Sequence, residues 1–244
     1  MNHRRHIWLL SLSLFCLTSQ AIAGESLKLL YEIREPMAYK DARGKLTGLA
    51  ANPVSQAMHA ADIPFMWVET PFKRQLSMVE ANDDAVCAVG MFKNRERQKF
   101  AKFSQPILRD AERPSIMLAH KDFQPDKGLD LLKTLSLPGI KMLKKDHASY
   151  GSVIDDLIER SKVAIVTTTA EAKNMALMVA AKRADFIFVP EDEALAMIKQ
   201  FGDDGKLHIF KPLGMPQGPE RFLMCSQQVS DELIQRFNKA LVKP

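Results

Sequence analysis

Strand-type and helix-type segments alternate along nearly the whole chain, and this alternation limits the fold more than any other feature. Ser26 to Tyr31 is an apolar β-type run, and the polar, Gly-containing stretch Tyr39 to Lys45 reads as a hairpin loop. Asn52-Pro53 opens a helix, with Asn as cap and Val54, Ala57, Met58 and Ala61 at helical spacing. Phe65 to Val68 is a strand, Thr70-Pro71 repeats the cap-then-proline signal, and Phe72, Leu76 and Val79 mark one face of a helix running to about Ala81. Asp84 to Gly90 is again a strand. This β-α-β-α-β order builds a largely parallel sheet with helices on its faces.

The pattern then restarts. Strands are expected at Ser115–Ala119, Ile140–Leu143, Val163–Val166, Asp185–Val189, Leu207–Phe210 and Phe222–Cys225. Helices are expected at Asp130–Thr134, Ser152–Arg160, Ala170–Arg183, Glu191–Gln200 and Asp231–Leu241. Two α/β units of similar size without a flexible linker favour two lobes joined by crossing segments. Small ligands usually bind in the cleft between such lobes.

The N-terminus reads as an export leader. Arg4 and Arg5 form a basic start, Ile7 to Ser19 is a charge-free apolar stretch, and Ala21-Ile22-Ala23 before Gly24 is a small-x-small cleavage site. The apolar stretch falls short of the roughly 18 residues a membrane span needs. Residues 1–23 are therefore expected to be a signal peptide, which places the mature chain in the periplasm. Of the 34 basic and 29 acidic residues, only Arg4 and Arg5 lie in the leader, so the mature charge is +3 with both signs interspersed. With no zinc-finger spacing and no stacking-aromatic signature, nucleic acid is not an expected partner.

Cys87 and Cys225 remain after cleavage, each in an apolar run. An oxidising compartment favours pairing them, and two buried strand thiols are the alternative. His59, His120, His147 and His208 are scattered, so neither a metal site nor a cofactor is expected.

Several short motifs recur in a familiar order: Tyr31-Glu32-x-x-Glu35-Pro36-Met37-x-Tyr39, Gly44-Lys45-Leu46-Thr47-Gly48-Leu49, Arg95-Glu96-Arg97, and Phe103-Ser104-Gln105-Pro106. Their order and spacing over residues 27–107 resemble bacterial periplasmic solute-binding proteins of family 3. In the second half, Ala184-Asp185-Phe186-Ile187 and Arg221 to Ser226 resemble that family's later strands. The resemblance implies a type II venus-flytrap fold that closes by hinge motion around a ligand. Lobe 1 is then residues 24–107 with about 213–244, and lobe 2 is 108–212.

The resemblance also implies roles for individual residues. Arg97 lies six residues before Phe103, where the family's arginine holds the carboxylate of a bound amino acid; a guanidinium fork matches a carboxylate bidentately. The plain alternative is a solvated base, the role expected of Arg95. Gly90-Met91-Phe92-Lys93-Asn94 replaces the hydroxyl-rich segment of amino-acid binders, with Gly90 permitting close backbone approach and Phe92 serving as cleft floor or core. Pro190 stands where an aspartate often grips the ammonium, and Glu191 is the candidate substitute.

Ser149 and Tyr150, before the helix at Ser152, correspond in position to the second-lobe ligand loop, with simple helix capping as a compatible role. Arg74 is expected to be solvated rather than ligand-facing. Glu32 is either a first-lobe polar contact or a surface carboxylate.

The expected function is capture of a small anionic or amino-acid-like solute, carboxylate-bearing, by a monomer that serves an inner-membrane ABC permease. A cyclohexadienyl-type dehydratase on the same scaffold and a ligand-free partner or sensor module are the alternatives. No nucleophile–base pair is evident in the sequence.

Overall fold

The computed structural model of the protein describes residues 26–109, 113–201 and 205–241. The expected leader, with its cleavage site at Ala23-Gly24, lies outside the described residues. Two five-stranded sheets organise the chain, together with a small hairpin of β2 (Tyr39–Lys40) and β3 (Leu46–Thr47).

The first sheet has the order β4-β1-β5-β12-β6, from β1 (Leu27–Tyr31), β4 (Phe65–Glu69), β5 (Val86–Phe92), β6 (Lys102–Phe103) and β12 (Arg221–Cys225). The second has the order β11-β7-β10-β8-β9, from β7 (Ser115–His120), β8 (Lys141–Lys145), β9 (Ala164–Thr168), β10 (Phe186–Pro190) and β11 (Leu207–Phe210). In each sheet one strand opposes the other four. β12 runs against β5 and β6, while β7 runs against β10 and β11. β7 is the first strand of the second sheet and β12 the last of the first, so the chain changes lobe where strand direction reverses.

Alternating side chains give each sheet two apolar faces. Leu27 and Leu29 of β1 face one core with Val54, Ala57 and Met58 of α1 (Ala51–Ala60) and Ile234 and Phe237 of α7 (Asp231–Ala240). Leu30 faces the opposite core with Val79 of α2 (Phe72–Ala81). In the second lobe, α3 (Leu131–Leu135) and α4 (Ser152–Ser161) cover one face, and α5 (Ala172–Ala180) and α6 (Glu191–Phe201) cover the other. A sheet buried on both faces requires strands that are largely apolar, as the fully buried β7 and β10 are, with Ser115 and His120 as the polar ends of β7.

Helix starts differ from the sequence reading. Asn52 does not cap α1: the helix already begins at Ala51, and the Asn52 side chain accepts from Thr47 Oγ at 3.0 Å instead. Thr70 does not cap α2 either; Pro71 occupies that position, and Thr70 Oγ donates to the Val68 carbonyl. Proline removes one free N–H from each helix start, and at α1 the Met37 and Gly48 carbonyls accept from Ala51 and Asn52 N–H. Asp130 and Ser230 do cap α3 and α7, accepting from Lys133 N and Leu233 N. Two crossing segments join the lobes. Leu108 exchanges backbone contact with Arg221 at the first sheet, and Leu213 still pairs with Leu129 and Leu131 of the second lobe.

Cys87 and Cys225 face each other in the β5–β12 register and are bonded, sulfur to sulfur, at 2.06 Å. Both are buried in the first core.

Candidate functional site

The parallel strands of both sheets end at one interlobe cleft. A cavity of about 90 Å³ lies there, lined from the ends of β1, β5, β8 and β10 and from the loops that follow β1, β4 and β8. Carboxyl ends of parallel strands are where open α/β sheets place ligands, because the connecting loops splay apart there.

The β5 end is shaped by Gly90. Phe222 pairs with Met91 but Leu223 pairs with Val89, so Gly90 is the extra residue of a bulge, at φ +78°. Such a bulge bends the strand and re-aims its end. The Gly90 carbonyl accepts from Arg221 Nη1 at 3.4 Å, and the Arg221 guanidinium stacks 4.5 Å from the Phe92 ring centroid. Phe92 is thus a cleft wall, shared with Arg221.

Arg97 opens a short 3₁₀ turn (Arg97–Lys99), and the Asn94 side chain accepts its backbone N–H at 2.9 Å, fixing the turn. Its side chain is only 5% exposed as a residue and donates to the Phe92 carbonyl at 2.9 Å and, across the cleft, to the His147 carbonyl at 3.4 Å. No carboxylate among the described residues forms an ion pair with it. Burial pushes its pKa down to about 10, with Asp155 opposing that shift from a distance. The group stays protonated at neutral pH, as a buried cation held by neutral acceptors.

Four cationic side chains (Arg34, Arg97, Lys145 and Arg221) line the cavity against one carboxylate, Glu32. Glu32 accepts from Lys145 Nζ at 2.6 Å, lobe to lobe. Arg34 Nε donates at 2.7 Å to Glu193, which is fully buried, with its second oxygen unpartnered among the described residues. Burial works against the Arg34 charge, but the Glu193 carboxylate outweighs it, assisted by Glu32, and leaves the Arg34 pKa above its ordinary value.

The second-lobe loop is pre-tied. Asp155 accepts from Tyr150 N at 3.0 Å and from Ser149 Oγ, and Ser149 Oγ in turn accepts from Gly151 N at 3.2 Å. Tyr150 packs 5.4 Å from Phe188, and burial raises its phenol pKa.

Six of the residues singled out from sequence therefore meet at one cavity: Glu32, Gly90, Phe92, Arg97, Ser149 and Tyr150. Two do not. Glu191 turns away and pairs with Lys211 at 2.6 Å, while two residues further round α6 Glu193 points inward to Arg34. The helical phase separates them: Glu193 shares the face of buried Ala194 and Met197. Arg74 is exposed and lines a separate outer groove at the cleft mouth.

Arg34, Lys145, Arg221, Phe72 and Glu193 were not anticipated as site residues. Arg221 opens β12 opposite Phe92, and Lys145 ends β8 two strand positions beyond the expected limit at Leu143. Phe72 read as a core residue of α2, yet its ring lies 5.2 Å from Lys145 Nζ and 5.8 Å from the Arg97 guanidinium carbon. Among the described residues no cluster of three or more His, Cys, Asp or Glu side chains can hold a metal, and no helix is long and apolar enough to cross a membrane.

Comparison with known proteins agrees with this architecture. An ancestral arginine-binding protein bound to arginine superposes with a TM-score of 0.68 at 19% identity, covering 88% of this chain and 90% of that one. A structure from the glutathione-import system of GshT and the cystine ABC importer TcyBC of Streptococcus mutans gives 0.70 at 18% identity, covering 88% and 87%. The ancestral amino acid-binding protein AncCDT-1, a precursor of cyclohexadienyl dehydratase, gives 0.65 at 19% identity, covering 88% and 87%. At these identities the likeness shows the two-lobed fold alone. No curated protein matches the sequence. The profile of the bacterial extracellular solute-binding proteins, family 3, matches residues 27–243. Nearly the whole chain is thus accounted for by one pattern, and the protein belongs to family 3 of the bacterial extracellular solute-binding proteins.

Proposed function

We propose that this protein captures a small anionic, carboxylate-bearing solute in the periplasm and presents it to an inner-membrane ABC permease. The observation that carries the reading is Arg97, a buried guanidinium in the cleft whose hydrogen-bond acceptors among the described residues are carbonyls. A buried cation without a counter-ion is costly, and a bound carboxylate offsets that cost through charge-assisted hydrogen bonds. The excess of cationic side chains over carboxylates in the lining supports the same sign of ligand.

The ligand's other charges are constrained too. Glu32 and Glu193 each already hold a cation of the chain, so an α-ammonium group finds neither of these carboxylates free. Acids without an ammonium are favoured over ordinary amino acids, although the arginine-binding relative is described with an amino acid bound. Arg97 and the first-lobe contacts take the solute in the open form, the loop at Ser149 and Tyr150 closes over it, and the permease reads the closed form.

A thermal-shift screen of the mature chain against mono- and dicarboxylates, aromatic acids and amino acids tests the reading, with Arg97→Ala alongside. A rise in melting temperature with carboxylates that vanishes in the variant is expected. No response to any acid, or an equal response in the variant, overturns it.

A second reading, a dehydratase, draws on the Glu32–Lys145 pair inside the cavity and on the AncCDT-1 likeness. Water-loss products from cyclohexadienyl acids, followed by chromatography, would mark it.

A further inference from the structure

Glu32 and Lys145 form an ion pair between the lobes in which both partners are enclosed, with side chains 13% and 14% exposed. The Lys145 ammonium also stands 5.2 Å from the centre of the Phe72 ring. A carboxylate beside an aromatic face is the arrangement that recognises an organic cation: the ring quadrupole and the carboxylate both attract it, and desolvation strengthens both. In this chain that receptor is occupied by one of the chain's own side chains.

The occupant also divides the cleft. Glu32, Phe72 and Lys145 line the inner cavity of about 90 Å³ and the outer groove of about 830 Å³, so the lysine stands at the boundary between them. The groove beyond is lined by Lys73, Asp146 and Glu171 among others and has room for a side chain.

We infer that Lys145 is a specificity-determining plug: it fills a cation subsite made by Glu32 and Phe72, excludes solutes that carry a guanidinium or ammonium side chain, and restricts the cleft to short anions. The inference rests on the solute-binding reading but concerns a different subsite from Arg97. Removing the ammonium leaves the Glu32 carboxylate partly buried and unpaired beside the ring, an environment that favours an incoming cation.

The test uses the mature chain and its Lys145→Met and Lys145→Gln variants, whose folding is checked by circular dichroism and melting temperature. Each is titrated calorimetrically with L-arginine and with butylguanidinium. The second probe has no carboxylate, so it reports on the subsite without Arg97. Both variants are expected to bind each guanidinium at least about tenfold more tightly than the native chain, the scale of one desolvated cation–π contact. Adding Glu32→Gln to Lys145→Met is expected to remove the gain. If the native chain binds carboxylates through Arg97 while neither variant gains guanidinium binding, the plug is overturned and the solute reading stands. If the native chain takes butylguanidinium as well as the variants do, the plug is likewise overturned. If the variants gain guanidinium binding while no carboxylate binds the native chain, the plug stands and the solute reading falls.

Discussion

Arg97 holds its charge where charge is costly, and three local devices keep it there: the Asn94 side chain on its backbone, the Phe92 carbonyl on one guanidinium nitrogen and the His147 carbonyl on another. Gly48 is the opposite kind of residue, chosen for what it lacks. Its φ is +131°, and a Cβ there would sit 2.3 Å from the Met37 carbonyl oxygen and 2.8 Å from that of Pro36. Those same carbonyls accept from Leu49 and Ala50, so they cannot retreat without breaking the turn that leads into α1. Gly48→Ala is expected to destabilise the protein by about 2–4 kcal/mol, read as a melting temperature lower by roughly 5–15 °C.

His208 makes a prediction in pH. Burial first, and His120 beside it, push its pKa below the ordinary 6.5. The unfolded chain therefore takes up the proton before the folded one, and the stability His208 contributes is present above about pH 6.5 and lost as pH falls toward its folded value. Melting temperature measured between pH 8 and 5 should fall on the acid side, and His208→Phe should flatten that limb.

At the scale of elements, β5 and β12 carry the most. They join the end of the first lobe to the returning chain, place Gly90, Phe92 and Arg221 at the cleft, and are cross-linked through Cys87 and Cys225, 138 residues apart in sequence. Closing so long a loop restrains the unfolded chain, so Cys87→Ala with Cys225→Ala is expected to cost about 2–5 kcal/mol. Urea titration of the oxidised and double-variant chains checks this, and equal midpoints would contradict it.

These elements also show what the sequence made legible. The strands were readable because β10 is apolar at every position and β7 at all but its ends, Ser115 and His120, and Arg97 was singled out only through the family resemblance, by its place six residues before Phe103. The rest depended on phase and register, which a single chain does not display. Glu191 and Glu193 stand in the same acidic helix start, and only the docking of α6 on β10 decides which faces Arg34. Lys145 ends a strand whose own composition, Lys-Met-Leu-Lys-Lys, gives no hint that its last side chain crosses to Glu32 in the other lobe. Phe72 satisfied the helical pattern of α2 and so read as core, although its ring is shared with the cleft.

Across the whole molecule, the lobes meet through charge. Glu32–Lys145, Arg34–Glu193 and Lys73–Asp146 all join one lobe to the other, and Arg97 reaches the His147 carbonyl across the same gap. The first two are shielded from solvent and the third lies at the mouth, so the cleft is held by contacts whose strength rises inward. The proposed anion is received within that frame by one arginine, Arg97. Titration calorimetry of the best carboxylate from the screen, on the native chain and on Arg97→Ala, tests this most directly. The account predicts a loss of affinity of about 100-fold or more in the variant, the scale of truncating one partner of a desolvated charge pair, with the unliganded melting temperature unchanged or raised. Native affinity in Arg97→Ala would contradict it.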